Sequence, residues 1–141
     1  MPLNTDFLGR VFPATEPYEV GREKIREFVR ATGGTPADDL PADNLVAPPT
    51  FAVLLTMNAE FRVMFDPGLG LDADRLLHRD QRFEHHRPIV PGDVLTVTVR
   101  VAGVDDIGGN DVLTLSSEVA TVDAEPVCTG TSVIVCPRAE S

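Results

Sequence analysis

The chain has no apolar run approaching the roughly 20 residues that span a bilayer, so a membrane-embedded protein is not expected. Its start, Met-Pro-Leu-Asn-Thr-Asp, lacks a basic region followed by an apolar one, and no secretory leader is read there. It is also poor in positive charge, with 12 Lys and Arg against 22 Asp and Glu and a net charge of −10. Phosphate backbones are bound by clustered Lys and Arg, so a nucleic-acid partner is not expected, nor is an anionic membrane surface. The two cysteines, Cys128 and Cys136, fall in one apparent strand. Eight positions at about 3.3 Å each hold them roughly 26 Å apart, beyond the reach of a disulfide. No His or Asp lies near them at metal-ligand spacing, so two small buried thiols are expected. There are three histidines, and none lies between Thr32 and Pro49. These features together suggest a cytoplasmic protein.

The apolar share of 43% and charged share of 24% are ordinary for a globular chain, and 141 residues suit a single domain over 1–141. A first helix is predicted from Arg22 to about Thr32. Ile25, Phe28, Val29 and Thr32 form one apolar stripe, and Gly33-Gly34 ends it. A second is predicted from Pro48-Pro49 through Thr50 to Phe65, with proline tolerated in the first turn. Its body is apolar almost all round, which predicts burial on most sides. The C-terminal half reads as strands: 82–89, 93–104, 112–122 and 127–135. Leu95, Val97, Val99 and Val101 alternate with polar residues, and Gly108-Gly109-Asn110 signals a turn. A buried helix beside an antiparallel meander predicts an α+β hotdog fold, an antiparallel sheet wrapped around a long central helix.

Three stretches carry a resemblance. They are Tyr18-Glu-Val-Gly-Arg-Glu-Lys-Ile-Arg-Glu-Phe28, then Leu45-Val-Ala-Pro-Pro-Thr-Phe51, then His78-Arg-Asp-Gln-Arg-Phe83 with Arg87-Pro-Ile-Val-Pro-Gly-Asp-Val-Leu95. In order and spacing the chain resembles the MaoC-like, N-terminal-type dehydratases. Within them it is similar to the actinobacterial UPF0336 proteins, which include the small subunits of (3R)-hydroxyacyl-ACP dehydratase. The resemblance implies reversible elimination of water from a (3R)-3-hydroxyacyl thioester carried on ACP or CoA. It implies no cofactor and no metal, and a homodimer or a heterodimer with a catalytic hotdog subunit. The biological setting would be fatty-acid or polyketide metabolism.

Such a hydro-lyase needs a base for the proton alpha to the thioester carbonyl and an acid for the leaving hydroxyl. In active members an Asp and a His on the loop after the first helix supply them, roughly as Gly-Asp-x-x-Pro-x-His. Here that loop has Asp38, Asp39 and Asp43 but no histidine, so no catalytic residue transfers. The leading expectation is an accessory or substrate-binding subunit. Pro49, Thr50, Phe51, Ala52 and Met57 would bound the acyl pocket, shaped further by Ala59 and Met64. Pro48 and Pro49 stand where a relative has a donating N–H, leaving Thr50 or Phe51 N–H for the thioester oxygen.

Three alternatives stand beside it. One is a homodimeric dehydratase with a rewired acid–base set, Asp38 or Asp43 with His85 or His86. Both histidines are placed inside the strand 82–89, where neighbours face opposite sides, and His78 is placed before it. Another is a non-enzymatic acyl-binding hotdog. The last is a hotdog thioesterase, since Glu60 lies mid-helix where some thioesterases carry a carboxylate.

Overall fold

The computed structural model describes residues 3–34 and 45–138. Five strands form one antiparallel sheet: β1 (Tyr18–Glu19), β2 (Leu77–His85), β3 (Val94–Ile107), β4 (Asn110–Thr121) and β5 (Pro126–Pro137). Two helices accompany them, α1 (Arg22–Ala31) and α2 (Val53–Met64). The strand order is β1-β3-β4-β5-β2, so the first long strand crosses to the far edge and pairs with the last. The sheet curls around α2, the hotdog arrangement expected from the sequence.

The inner face follows the period of two along each strand. Leu95, Val97, Val99 and Val101 of β3, Leu113, Leu115 and Val119 of β4, and Cys128 and Ile134 of β5 are all buried. The β3–β4 turn is set by its glycines. Ile107 pairs with Asn110, which leaves a two-residue loop. Gly108 and Gly109 have φ of 60° and 84°, the double left-handed conformation of a type I′ hairpin that glycine adopts without strain. β3 therefore runs to Ile107, past the expected end at residue 104, with a register shift between Val101 and Gly103.

α1 buries Ile25 and Val29, and Phe28 meets Phe51 edge-on with ring centroids 5.6 Å apart. Thr32 lies past its end and is exposed; its hydroxyl donates to Phe28 O at 3.0 Å.

Two expectations are corrected. The second helix starts with a 3-10 turn, Pro49–Ala52, and becomes α-helical at Val53. It is not buried on most sides: Phe61 and Phe65 are 39% and 57% exposed, and Leu54 and Met57 are half-buried. These four are spaced to form an outward apolar stripe, while Thr56 and Glu60 point into the core at 0% exposure. The first long strand also shifts. It begins at Leu77 and ends at His85, so His78 lies inside it and His86 outside. An edge strand needs little apolar content, and a register shift between His78 and Asp80 blurs its alternation further.

The two sheet edges differ. The N-terminal segment covers β3: Gly9 N–H donates to Val101 O, Phe12 N–H to Val99 O and Thr15 N–H to Val97 O at 2.8–3.0 Å. Among the described residues nothing pairs with the outer edge of β2.

A half-buried ion pair closes the turn between β2 and β3. Arg87 grips Asp93 with two N–H groups at 2.9 and 3.1 Å, and Asp93 also accepts from Val90 N–H at 2.9 Å. Burial works against ionising Asp93, but the Arg87 guanidinium and the Val90 amide outweigh it and hold the carboxyl below its usual range. Removing one partner leaves a charge with lost hydrogen bonds. Arg87→Ala is expected to cost about 2 kcal/mol in urea unfolding, with Arg87→Lys only partly restoring it because the bidentate fork is lost.

Candidate functional site at the start of the central helix

The start of α2 is positioned from two sides. Ala47 N–H donates to Ile89 O at 2.8 Å, tying the incoming chain to the segment after β2. From β2, His85 Nε2 lies 2.8 Å from Pro49 O. A carbonyl can only accept, so Nε2 carries the hydrogen, and in the neutral ring Nδ1 is left as the acceptor. Val46, Pro48, Pro49, His85, His86 and Arg87 border a cavity of about 380 Å³ at this point.

Two donors that the sequence places here have different fates. Phe51 N–H is committed to Pro48 O at 2.9 Å. Thr50 N–H, the first donor after two prolines, has no backbone partner among the described residues. Thr50 and Pro49 are exposed, whereas Phe51 and Ala52 are fully buried in the core and Met57 is half-buried. Of the histidines, His85 is exposed at the end of β2, on the same side as Phe83, whose ring is 6.0 Å away. His86 is exposed, and its backbone N–H continues the sheet by bonding Val127 O at 2.9 Å. Asp38, Asp39 and Asp43 lie outside the described residues.

Known proteins share both this sequence and this shape. Residues 6–130 match the family described as FAS1-like, dehydratase domain region. A UPF0336 protein of Saccharopolyspora erythraea is 48% identical over 143 residues, which cover 96% of this chain and 92% of the relative. The chain belongs to the UPF0336 family of MaoC-like hotdog proteins. Among solved structures, the C-terminally truncated HadBC (3R-hydroxyacyl-ACP dehydratase) complex of Mycobacterium tuberculosis superposes with a TM-score of 0.79. Identity there is 29%, over 93% of this chain and 98% of that one. A MaoC-like dehydratase superposes at 0.82 with 31% identity; it covers 94% of this chain, which spans 43% of that longer one.

One polar cluster of this UPF0336 chain went unread in its sequence. Glu60 is fully buried against the sheet, and its Oε1 lies 3.0 Å from Ser117 Oγ and 2.8 Å from Ser132 Oγ. Ser132 Oγ is also 2.7 Å from Gln81 Oε1. Gln81 Nε2 sits 3.3 Å from both Arg82 O and Thr131 O. Turning the amide over would face its oxygen toward two carbonyl oxygens, so Oε1 must point at Ser132. Ser132 has one hydrogen for two acceptors, Gln81 Oε1 and Glu60 Oε1, so it donates to only one of them at a time. When Gln81 takes it, a protonated Glu60 is the form that completes the contact. Burial raises its pKa from the ordinary 4.5, against the lowering effect of the two serine bonds and of His78. Glu60 Oε2 and Thr56 Oγ1, one helical turn apart, are buried without hydrogen-bond partners among the described residues. The carboxyl is enclosed in the core rather than open to solvent. The serines at inward positions 117 and 132, each in an otherwise apolar strand pattern, were the available signal.

Both cysteines are buried and unpaired in β5. Burial, with the charge of Glu118 added, pushes the Cys128 thiol up to about 11. The thiolate is the reactive form, so Cys128 should resist disulfide-exchange reagents at neutral pH until the protein is unfolded, as a native against denatured thiol titration would show. Among the described residues no group of three or more His, Cys, Asp or Glu is placed to hold a metal ion, and no helix is long and apolar enough to cross a membrane.

Proposed function

We propose that this chain is the accessory, substrate-holding subunit of a heterodimeric (3R)-3-hydroxyacyl-thioester dehydratase. A second hotdog subunit would bring the Asp–His pair. The observation that carries the reading is an incomplete site at the start of α2. No histidine occurs between Thr32 and Pro49, and the histidine that touches the helix start, His85, gives its Nε2 hydrogen to Pro49 O. What remains suits holding: Thr50 N–H as a donor for a thioester oxygen, one residue past Pro49 on the wall of a cavity of about 380 Å³. The substrate would be an acyl-ACP or acyl-CoA, in fatty-acid or polyketide metabolism in the cytoplasm.

Two surfaces support a hotdog partner. The outer edge of β2 offers unpaired N–H and C=O groups, which proteins generally cover. The stripe Leu54, Met57, Phe61 and Phe65 leaves apolar area on the outside of α2. The HadBC structure, a complex in its own right, gives the precedent. Co-expression with a hotdog protein of the same organism that carries the Asp–His pair, followed by native mass spectrometry, should give a one-to-one heterodimer. A homodimer that ignores such a protein would count against the assignment and favour an acyl-binding role without chemistry.

A further inference from the structure

A groove on the flank of α2 shares no lining residue with the cavity at the helix start. Its volume is about 440 Å³, and Leu55, Ala59 and Val97 give it an apolar floor. The opposite wall is the strap around Thr15, which is fixed in place. Thr15 N–H donates to Val97 O at 3.0 Å, and Val97 N–H donates back to the Thr15 hydroxyl at 2.9 Å. The groove is therefore preformed, of a size and lining typical of small-molecule sites.

Its rim carries charge of a sign that is scarce in this chain. Arg62 stands toward one end and Lys24 also lines the rim, in a protein of net charge −10. Glu16 is the carboxylate on the same rim. Lys24 is paired with Glu27 at 3.3 Å. Arg62 donates one N–H to Pro13 O at 2.8 Å, which anchors the guanidinium, and it has no carboxylate partner among the described residues. Four of its five N–H groups stay available. From Leu54 to Arg62 the groove follows about 12 Å of helix.

We propose that this groove binds a medium-length aliphatic carboxylate. The chain lies along α2 on Leu55, Ala59 and Val97, and the carboxylate pairs with Arg62. A single anchored guanidinium matches one planar carboxylate in two parallel bonds, and Glu16 on the rim opposes a more highly charged head group. The site is independent of acid–base chemistry at the start of α2.

Titration of the full chain with decanoate, below its micelle concentration and followed by calorimetry and amide NMR, tests this. Decanoate should bind saturably, with shifts centred on Val97, Ala59 and Asn58, and more tightly than decanol or decylamine. Arg62→Gln should weaken decanoate about 10-fold or more, the loss expected for a charged hydrogen-bonded pair, while leaving decanol unchanged. Asn58 is an exposed groove residue, so Asn58→Trp fills the groove without touching the core and should abolish binding of both. Decylamine binding as tightly as decanoate, no saturable binding, or affinities unchanged in both variants would overturn the proposal.

Discussion

The purified chain alone should hydrate crotonyl-CoA at most at a small fraction of the rate of its complex with a catalytic hotdog subunit. General acid–base groups contribute on the order of 10²–10⁴-fold, and this chain has no histidine between Thr32 and Pro49 to act as the base. If Thr50 N–H polarises a thioester carbonyl as proposed, binding of a thioester analogue should survive where turnover does not. A coupled absorbance assay on the isolated chain reads this directly. Turnover in the usual enzyme range of roughly 1–10³ s⁻¹ would instead favour the rewired alternative, with His85 or His86 as base. His85→Ala and His86→Ala then separate the two, because His85 ends β2 and touches Pro49 O while His86 lies just outside the strand.

The second large effect concerns Glu60. Glu60→Ala leaves a cavity and deprives Ser117 and Ser132 of their shared partner, and is expected to cost about 3 kcal/mol. Glu60→Gln keeps the shape and a neutral donor and should cost under about 1 kcal/mol near pH 5. The two respond differently to pH. Below the ordinary value of 4.5 both folded and unfolded wild-type chains hold the proton. As pH rises above it, the unfolded chain releases the proton while the fold retains it, so wild-type stability falls until the pH passes the raised folded value. Glu60→Gln lacks this slope, and its stability relative to wild type should climb through that window in urea unfolding at several pH values. A ¹³C side-chain titration should show one glutamate losing its proton at higher pH than the others, absent in Glu60→Gln. A set of glutamates that all titrate near the ordinary value would refute the raised value.

The elements that the sequence predicted well are those with a one-sided pattern. β3 alternates Leu95, Val97, Val99 and Val101 against polar neighbours, and all four are buried. α1 carries Ile25, Phe28 and Val29 on one stripe, and two of these, Ile25 and Val29, are buried. α2 misled because apolar residues on both faces hide which side is inward. The buried side includes Thr56 and Glu60, while Phe61 and Phe65 point out. Composition alone cannot reveal that polar side chains from three different strands and a helix meet. β2 misled for the opposite reason. Its residues, from Leu77 through Arg82 to His85, are mostly exposed, and its pairing with β5 is set by backbone bonds that leave no mark on hydropathy.

At the candidate site the expectation of a missing base comes from the sequence alone, and the structure adds how the surrounding groups are engaged. Pairing of His85 Nε2 with Pro49 O and of Phe51 N–H with Pro48 O depends on how an edge strand meets a helix start. Spacing along the chain does not encode that meeting. The alternation rule assumed both histidines inside one strand, but β2 ends at His85 and His86 lies beyond it.

The most direct test of the accessory-subunit account is the turnover of the reconstituted pair, measured with 3-hydroxyacyl-CoA and three altered complexes. Replacing the histidine of the partner's Asp–His pair by alanine should abolish dehydration. His85→Ala or His86→Ala in this chain should leave kcat within a few-fold and act mainly on KM. Loss of kcat on His85→Ala or His86→Ala, with activity retained when the partner's histidine is removed, would contradict the account.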